Sequence, residues 1–334
     1  MTSERLQDLV EAADLNDLLR AVDGLCAARD WESLVHLADL CEDALERGKQ
    51  LWPIAAHIDY RLALEAPGDY AASVLDPNAS RFSLGPLTEV AASTHEWGDL
   101  ADHIDHPAVA AYVAQERVLR GEVLDGDERA HPEMLDLPLH LLDWEPAYRL
   151  ATYRPDHLEV PENWEPRAPF RDRDRIDAAA LDEPELVAAL LELVTPWTTE
   201  SNGAARAVVV DGDARAATSA LTYDRLRIGE LSLEEAAQRI AWAASSGGAH
   251  GRRRGVALGR FATLYLVALL VDLPWPPDFV RLGELARGLR WFRFDEAEPE
   301  RGWVLRIAVE DTEHGWAAAI AATDLVEEED EPTL

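Results

Sequence analysis

Leu6, Leu9 and Val10, followed by Leu15, Leu18, Leu19 and Val22, recur three and four residues apart, the apolar stripe of an amphipathic helix. Trp31, Leu34, Leu37, Leu40, Cys41 and Leu45 repeat that spacing as far as Gly48. A further helix from Leu51 to Glu65 stops before Pro67-Gly68. This style continues, so residues 1–150 are expected to form an all-helical, repeat-like domain of hairpins joined by short loops. Ala27-Ala28 and Trp31-Glu32-Ser33-Leu34 have counterparts in Ala91-Ala92 and Trp97-Gly98-Asp99-Leu100, about two helical-hairpin repeats further on. An irregular α-solenoid and a plain helical bundle with tryptophan knobs both fit this pattern.

The pattern breaks between 151 and 184. Pro155, Pro161, Pro166, Pro169 and Pro184 punctuate it, and Arg171-Asp172-Arg173-Asp174-Arg175 alternates charge. A Pro-rich connecting segment is expected here, with Trp164 and Phe170 packed on a neighbour. Residues 185–326 then read as an α+β domain. Ala205–Asp211 and Leu226–Leu231 have strand character, and Asp213 is placed to cap a following helix. Ser232-Leu233-Glu234-Glu235 is a capping-box sequence opening a helix to about Ser246. Helices over about 252–273 and 278–289 should follow. Arg290–Phe294, Gly302–Val309 and Gly315–Ala322 read as a small antiparallel meander, with turns at Glu298-Pro299-Glu300 and Glu313-His314-Gly315. The third run is rich in Ala and also fits a helix. Residues 327–334 form an acidic tail. The fold class is therefore α+β and mostly helical.

Composition narrows the functions. A formal charge of −33 repels nucleic acid and anionic lipid over most of the surface, so nucleic acid is a disfavoured partner. Lys49 is the sole lysine, and salt adaptation is a second explanation of the acidity. Cys26 and Cys41 have no metal-binding or redox spacing, so two buried thiols in a reduced compartment are expected. The N-terminus lacks a signal-peptide pattern. The longest apolar run, 261–271, is far short of the ~20 residues of a membrane span. A cytoplasmic protein with no membrane contact is expected.

One segment departs from the acidic background. From Ala236 to Val271 there is no acid, and inside this gap lies Ser245-Ser246-Gly247-Gly248-Ala249-His250-Gly251-Arg252-Arg253-Arg254-Gly255, with Arg260 beyond it. Gly247, Gly248, His250, Gly251, Arg252, Arg253, Arg254 and Arg260 are the candidate ligand-binding residues. Free amide N–H groups and guanidinium forks would hold an anion, and His250 would carry protons beside it. The alternative is a structural corner between two helices, paired to carboxylates from elsewhere in the chain. P-loop and dinucleotide-binding spacings are absent.

Other constellations are weaker. His103 and His106, with Asp99 and Asp102, could share a helix face, but Pro107 follows at once and a polar helix end explains them better. No metal site and no cofactor is assigned. GxSxG is absent, and neither Cys has a nearby His. Asp211 and Asp213 follow the Val208–Val210 strand, where a turn and a helix cap explain them equally well.

Ser246–Gly255, Leu289–Phe294 and Trp303-Val304-Leu305-Arg306 resemble motifs of an uncharacterised family of actinobacterial proteins, mainly over residues 200–325. That resemblance implies a grouping and assigns no activity, so no catalytic residue is carried over.

The residues favour a non-enzymatic binding or adaptor protein, its partner another protein or a phosphate-bearing small molecule. Two alternatives remain. One is an enzyme acting on a phosphorylated or nucleotide substrate, with the arginines clamping phosphate and Asp211 or Asp213 holding a metal. The other is an acidic immunity or antagonist protein blocking a basic target.

Overall fold

The computed structural model describes residues 1–76, 84–160, 168–222, 225–297 and 301–325. Trp164, the 298–300 turn and the acidic tail lie outside the described residues. The chain divides into two compact units, Met1–His140 with Leu150–Pro161, and Leu141–Arg149 with Glu162–Leu334.

The first unit is helical. It contains α1 (Ser3–Ala12), α2 (Leu15–Ala28), α3 (Trp31–Glu46), α4 (Trp52–Glu65), α5 (Gly68–Ser73), α6 (Leu87–Thr94), α7 (Trp97–Leu100) and α8 (Pro107–Leu119). Most of the stripe positions read from the sequence become one core, in which Leu18, Val22, Leu34, Leu37 and Ile58 are fully buried, while Leu15, Leu19 and Leu45 stay exposed. Asp14 and Asp30 cap α2 and α3 by accepting backbone N–H bonds from the first turns. Trp31 and Trp97 each open a helix behind an acidic residue, Asp30 or Glu96. The likeness is local, because α3 runs for 16 residues and α7 for 4.

Helix does not continue to residue 150. Beyond Leu119 only short 3₁₀ turns, Glu128–Ala130 and Pro132–Met134, occur before a hairpin of β1 (Thr152–Tyr153) and β2 (Leu158–Glu159). Pro132, Pro138 and Pro146, with His131 and Asp136 in left-handed conformations, interrupt any helical ladder there. The hairpin is fastened to the helices by polar bonds. Tyr153 donates its hydroxyl to the buried Glu89 at 2.8 Å, and Tyr60 donates to the Arg154 carbonyl at 2.5 Å.

The second unit is α+β. Its elements are β3 (Arg171–Arg173), α9 (Pro184–Glu192), α10 (Thr195–Thr199), β4 (Ala204–Asp211), α11 (Ala214–Leu221), β5 (Leu226–Leu231), α12 (Leu233–Ser245), α13 (Val256–Leu270), α14 (Phe279–Ala286), β6 (Arg290–Asp295), β7 (Trp303–Asp311) and β8 (Trp316–Asp324). Six strands form one antiparallel sheet in the order β3-β5-β6-β7-β8-β4. The expected meander is its centre, and the strands expected separately extend it on both sides. The Ala-rich run is strand β8, paired along its length with both β7 and β4. Its Ala317, Ala319 and Ala321 let α11 pack closely, with Val208, Val210, Phe292 and Phe294 completing that face. Helix α12 packs against β5, β6 and β7. The alternating charges of 171–173 are an exposed edge strand, where charge discourages edge-to-edge pairing. Phe170 beside it stacks under Arg293, 3.9 Å from guanidinium carbon to ring centre.

Candidate functional site

The glycine–arginine corner joins α12 to α13. The Ser232/Glu235 capping box forms as its spacing predicts and starts α12, which ends at Ser245. The next helix begins at Val256, behind Gly255 at φ 90°, so Arg252, Arg253 and Arg254 lie in the connecting loop and not in the first helical turn. Arg254 N–H donates to the Ser245 carbonyl at 2.8 Å and closes that loop. Inside it two backbone segments touch. A methyl group on Gly247 would lie 2.3 Å from the Gly251 carbonyl oxygen, and one on Gly251 would lie equally close to that of Gly247.

Several of the amides that could cradle an anion are engaged within the chain. Ala249 N–H donates to Asp324 Oδ2 at 2.5 Å, and His250 N–H donates to Ser201 Oγ at 3.2 Å. Ser201 in turn donates to Asp324 Oδ1 at 3.0 Å, and Arg252 N–H donates to Glu200 Oε2 at 3.1 Å. Asp324 is buried, and Gly248 at φ +74° leaves room for its carboxylate. Gly247, Gly248 and Gly251 therefore build a corner that binds the chain's own carboxylates.

The arginines separate. Arg260 leaves the candidate set: its side chain is fully buried on α13 and meets Glu145 through two bonds, Nε–Oε2 at 2.8 Å and Nη2–Oε1 at 2.7 Å. Tyr148 donates to the same carboxylate at 2.8 Å, and burial, with Glu145 beside it, pushes the Tyr148 hydroxyl far above its ordinary range. Arg252 and His250 are exposed, and Arg253 is half-buried. Arg254 is half-buried and, among the described residues, its guanidinium has no ion-pair or hydrogen-bond partner.

Arg254 turns away from the corner's hydrogen bonds and lines a groove of about 370 Å³. One wall is a face of α9 with Glu185, Ala188, Ala189 and Glu192, spaced as one helical stripe. The other is the α13 stripe Leu258, Phe261, Ala262, Tyr265 and Leu269. Trp275 meets the rings of Phe261 and Tyr265 edge-on at 5.2 and 5.5 Å, which fixes the aromatic wall. Sequence reasoning found Arg254 but missed this groove. Its signal was α13 itself, apolar nearly all round apart from Arg260 and Thr263, because a helix with so little polar face needs cover on most sides.

Asp211 and Asp213 are not part of this site. In register, Asp211 pairs with Trp316 at one end of β8, whereas Asp324 and the corner lie at the other end. Strand rise puts those ends more than about 20 Å apart. Asp213 is spent as the N-cap of α11, accepting from Ala216 N–H at 2.9 Å. A single pocket holding the arginines, His250 and these carboxylates does not form. His103 closes a short 3₁₀ turn and His106 precedes α8, whose first residue is Pro107, so the two histidines do not share a helix. Pro107 starts a helix here and does not end one. Among the described residues no group of three or more His, Cys, Asp or Glu could hold a metal ion. Likewise, no helix among them is long and apolar enough to cross a membrane.

A model of a family of unknown function (DUF6183) matches residues 16–325, and the chain belongs to that family. No curated protein and no solved structure matches the chain.

Proposed function

We propose that this chain is a binding protein without catalytic machinery, and that its C-terminal unit takes a small amphipathic anion in the groove between α9 and α13. The observation that carries this reading is the Arg254 guanidinium, without a partner among the described residues, at a groove whose walls are mostly apolar. Small-ligand sites have this form, mostly apolar walls with a few placed polar groups, and volumes from about 300 Å³ upward. The apolar body of the ligand packs on Leu258, Phe261 and Tyr265, and its carboxylate or phosphate pairs with Arg254. Glu185 and Glu192 on the α9 wall repel a second negative charge and favour ligands with one anionic end. Cys26 and Cys41, both buried and unpaired, suit a reduced cytoplasmic setting.

Calorimetric titration with decanoate tests the reading. Wild type should bind it, Arg254→Ala should bind it about tenfold or more weakly, and Ala189→Trp, which fills the groove, should not bind. Equal binding by wild type and Ala189→Trp would refute the groove as the site.

A further inference from the structure

A second cavity, of about 250 Å³, opens on the α11 face of the sheet and shares no lining residue with the corner. It is lined by Arg206, Thr222, Phe294, Glu296, Arg306 and Thr323, among others. Its shape follows from strand register. Arg306 on β7 stands opposite Ala321 on β8, and Ala321 stands opposite Arg206 on β4. The two arginines are thus next-but-one neighbours on one face, with Cα atoms about 10 Å apart at the usual strand spacing. The residue between them is an alanine, so nothing fills the space above it. Two long cationic side chains flank a gap the size of a small anion.

The two arginines are not equivalent. Arg206 Nη2 donates to the Leu221 carbonyl at 2.8 Å, which satisfies the C-terminal end of α11 and neutralises part of its negative dipole. Arg306 is half-buried and, among the described residues, has neither an ion pair nor a hydrogen bond, although acids are twice as numerous as bases in this chain. The Thr323 hydroxyl on the same rim is likewise without a partner among them. Glu296 supplies one carboxylate to the lining, so the balance is two positive charges against one. A half-buried guanidinium with no directly paired carboxylate among the described residues favours an added negative charge.

We propose that Arg306 and Arg206 hold a compact anion over Ala321, a phosphate or carboxylate group of a small metabolite, with Thr323 as an additional donor. This site is separate from the groove at Arg254. Guanidinium forks match both anions through paired N–H bonds, and two forks on either side of one cavity select a group with several acceptor oxygens.

Calorimetric titration of the full chain at constant ionic strength decides the matter, with inorganic phosphate and malonate as separate probes. At least one should bind with a single site, and the tighter of the two identifies the chemistry. Arg306→Ala should weaken that binding tenfold or more, and Arg306→Lys should restore part of it. Arg254→Ala should leave it unchanged. Because Arg306 has no partner among the described residues, neither Arg306 variant should melt below wild type, which a circular-dichroism scan checks. Absence of binding by both probes in wild type overturns the proposal. Equal binding by Arg306→Ala, or loss in Arg254→Ala alone, overturns it as well.

Discussion

Arg260 and Glu145 meet as a bidentate ion pair from which water is entirely excluded, 115 residues apart in sequence. The pair ties the segment Leu141–Arg149 to helix α13. Further ties act in the same direction. Arg149 N–H donates to Gln238 on α12 at 3.0 Å, and Trp144 packs so tightly on Gly283 of α14 that a methyl there would lie 2.6 Å from its ring. An arginine that reads as ligand-binding in the sequence is therefore a fastener.

Removing one partner of such a pair leaves an uncompensated buried charge, which costs about 3–5 kcal/mol. Glu145→Gln and Arg260→Met should each lower stability by that order in urea titration. Glu145→Leu combined with Arg260→Met should recover much of the loss, because no charge is then stranded. A double variant as unstable as the sum of the singles would show that the pair is not the fastener.

The corner should respond to Asp324 and not to added anions. Asp324→Ala strips the acceptors from Ala249 N–H and Ser201, a loss of about 1–3 kcal/mol for buried donors left without partners. Gly248→Ala should be at least as damaging, since a methyl would lie 2.1 Å from Asp324 Oδ2 and the backbone is left-handed there. Thermal unfolding measures both. Wild-type melting for Asp324→Ala would remove the carboxylate from this role.

Asp59 gives the helical unit a pH dependence. Burial, reinforced by Glu42 and Asp39, pushes its carboxyl from 3.8 up to about 7. The folded chain then holds this proton over a window in which the unfolded chain has lost it, so stability falls as pH rises from about 4 to 7. At 1.36 kcal/mol per pKa unit the effect is on the order of 4 kcal/mol. Asp59→Asn should flatten that slope and stabilise the protein at pH 8, with little change at pH 4. Parallel pH profiles for variant and wild type would contradict this.

Cys26 and Cys41 are buried thiols pushed up to about 11, chiefly by desolvation. Neither should react with a thiol reagent at pH 8 until the helical core opens, and both should react in denaturant. Prompt labelling of the native protein would place a thiol at the surface.

Much of the architecture was legible because it is written in short-range signals. Most of the three-and-four stripe positions from Leu6 to Cys41 lie in one core, with Leu15 and Leu19 the exposed exceptions, and Ser232 with Glu235 makes the cap their spacing predicts. The segment 120–150 reads as helix in the sequence but is not α-helical, and apolar residues such as Leu137 and Leu139 are buried there without helical periodicity. The roles of the arginines were not legible. Arg254 and Arg260 stand six positions apart in one basic stretch, yet one faces a groove and the other meets Glu145 in the core. Such a difference depends on partners far away in sequence, and no local pattern encodes it. Strand register carries the same lesson, because Arg206 and Arg306 become neighbours only through Ala321.

Alanine-methyl NMR during a decanoate titration tests the binding role most directly. Ala188, Ala189, Ala244 and Ala262 line the groove, while Ala21 and Ala44 sit in the helical core. Saturable shifts in the first four methyls, with Ala21 and Ala44 unmoved and the response much weakened in Arg254→Ala, are the predicted result. A spectrum that stays unchanged, or one whose shifts lie elsewhere, would contradict ligand binding in the α9–α13 groove.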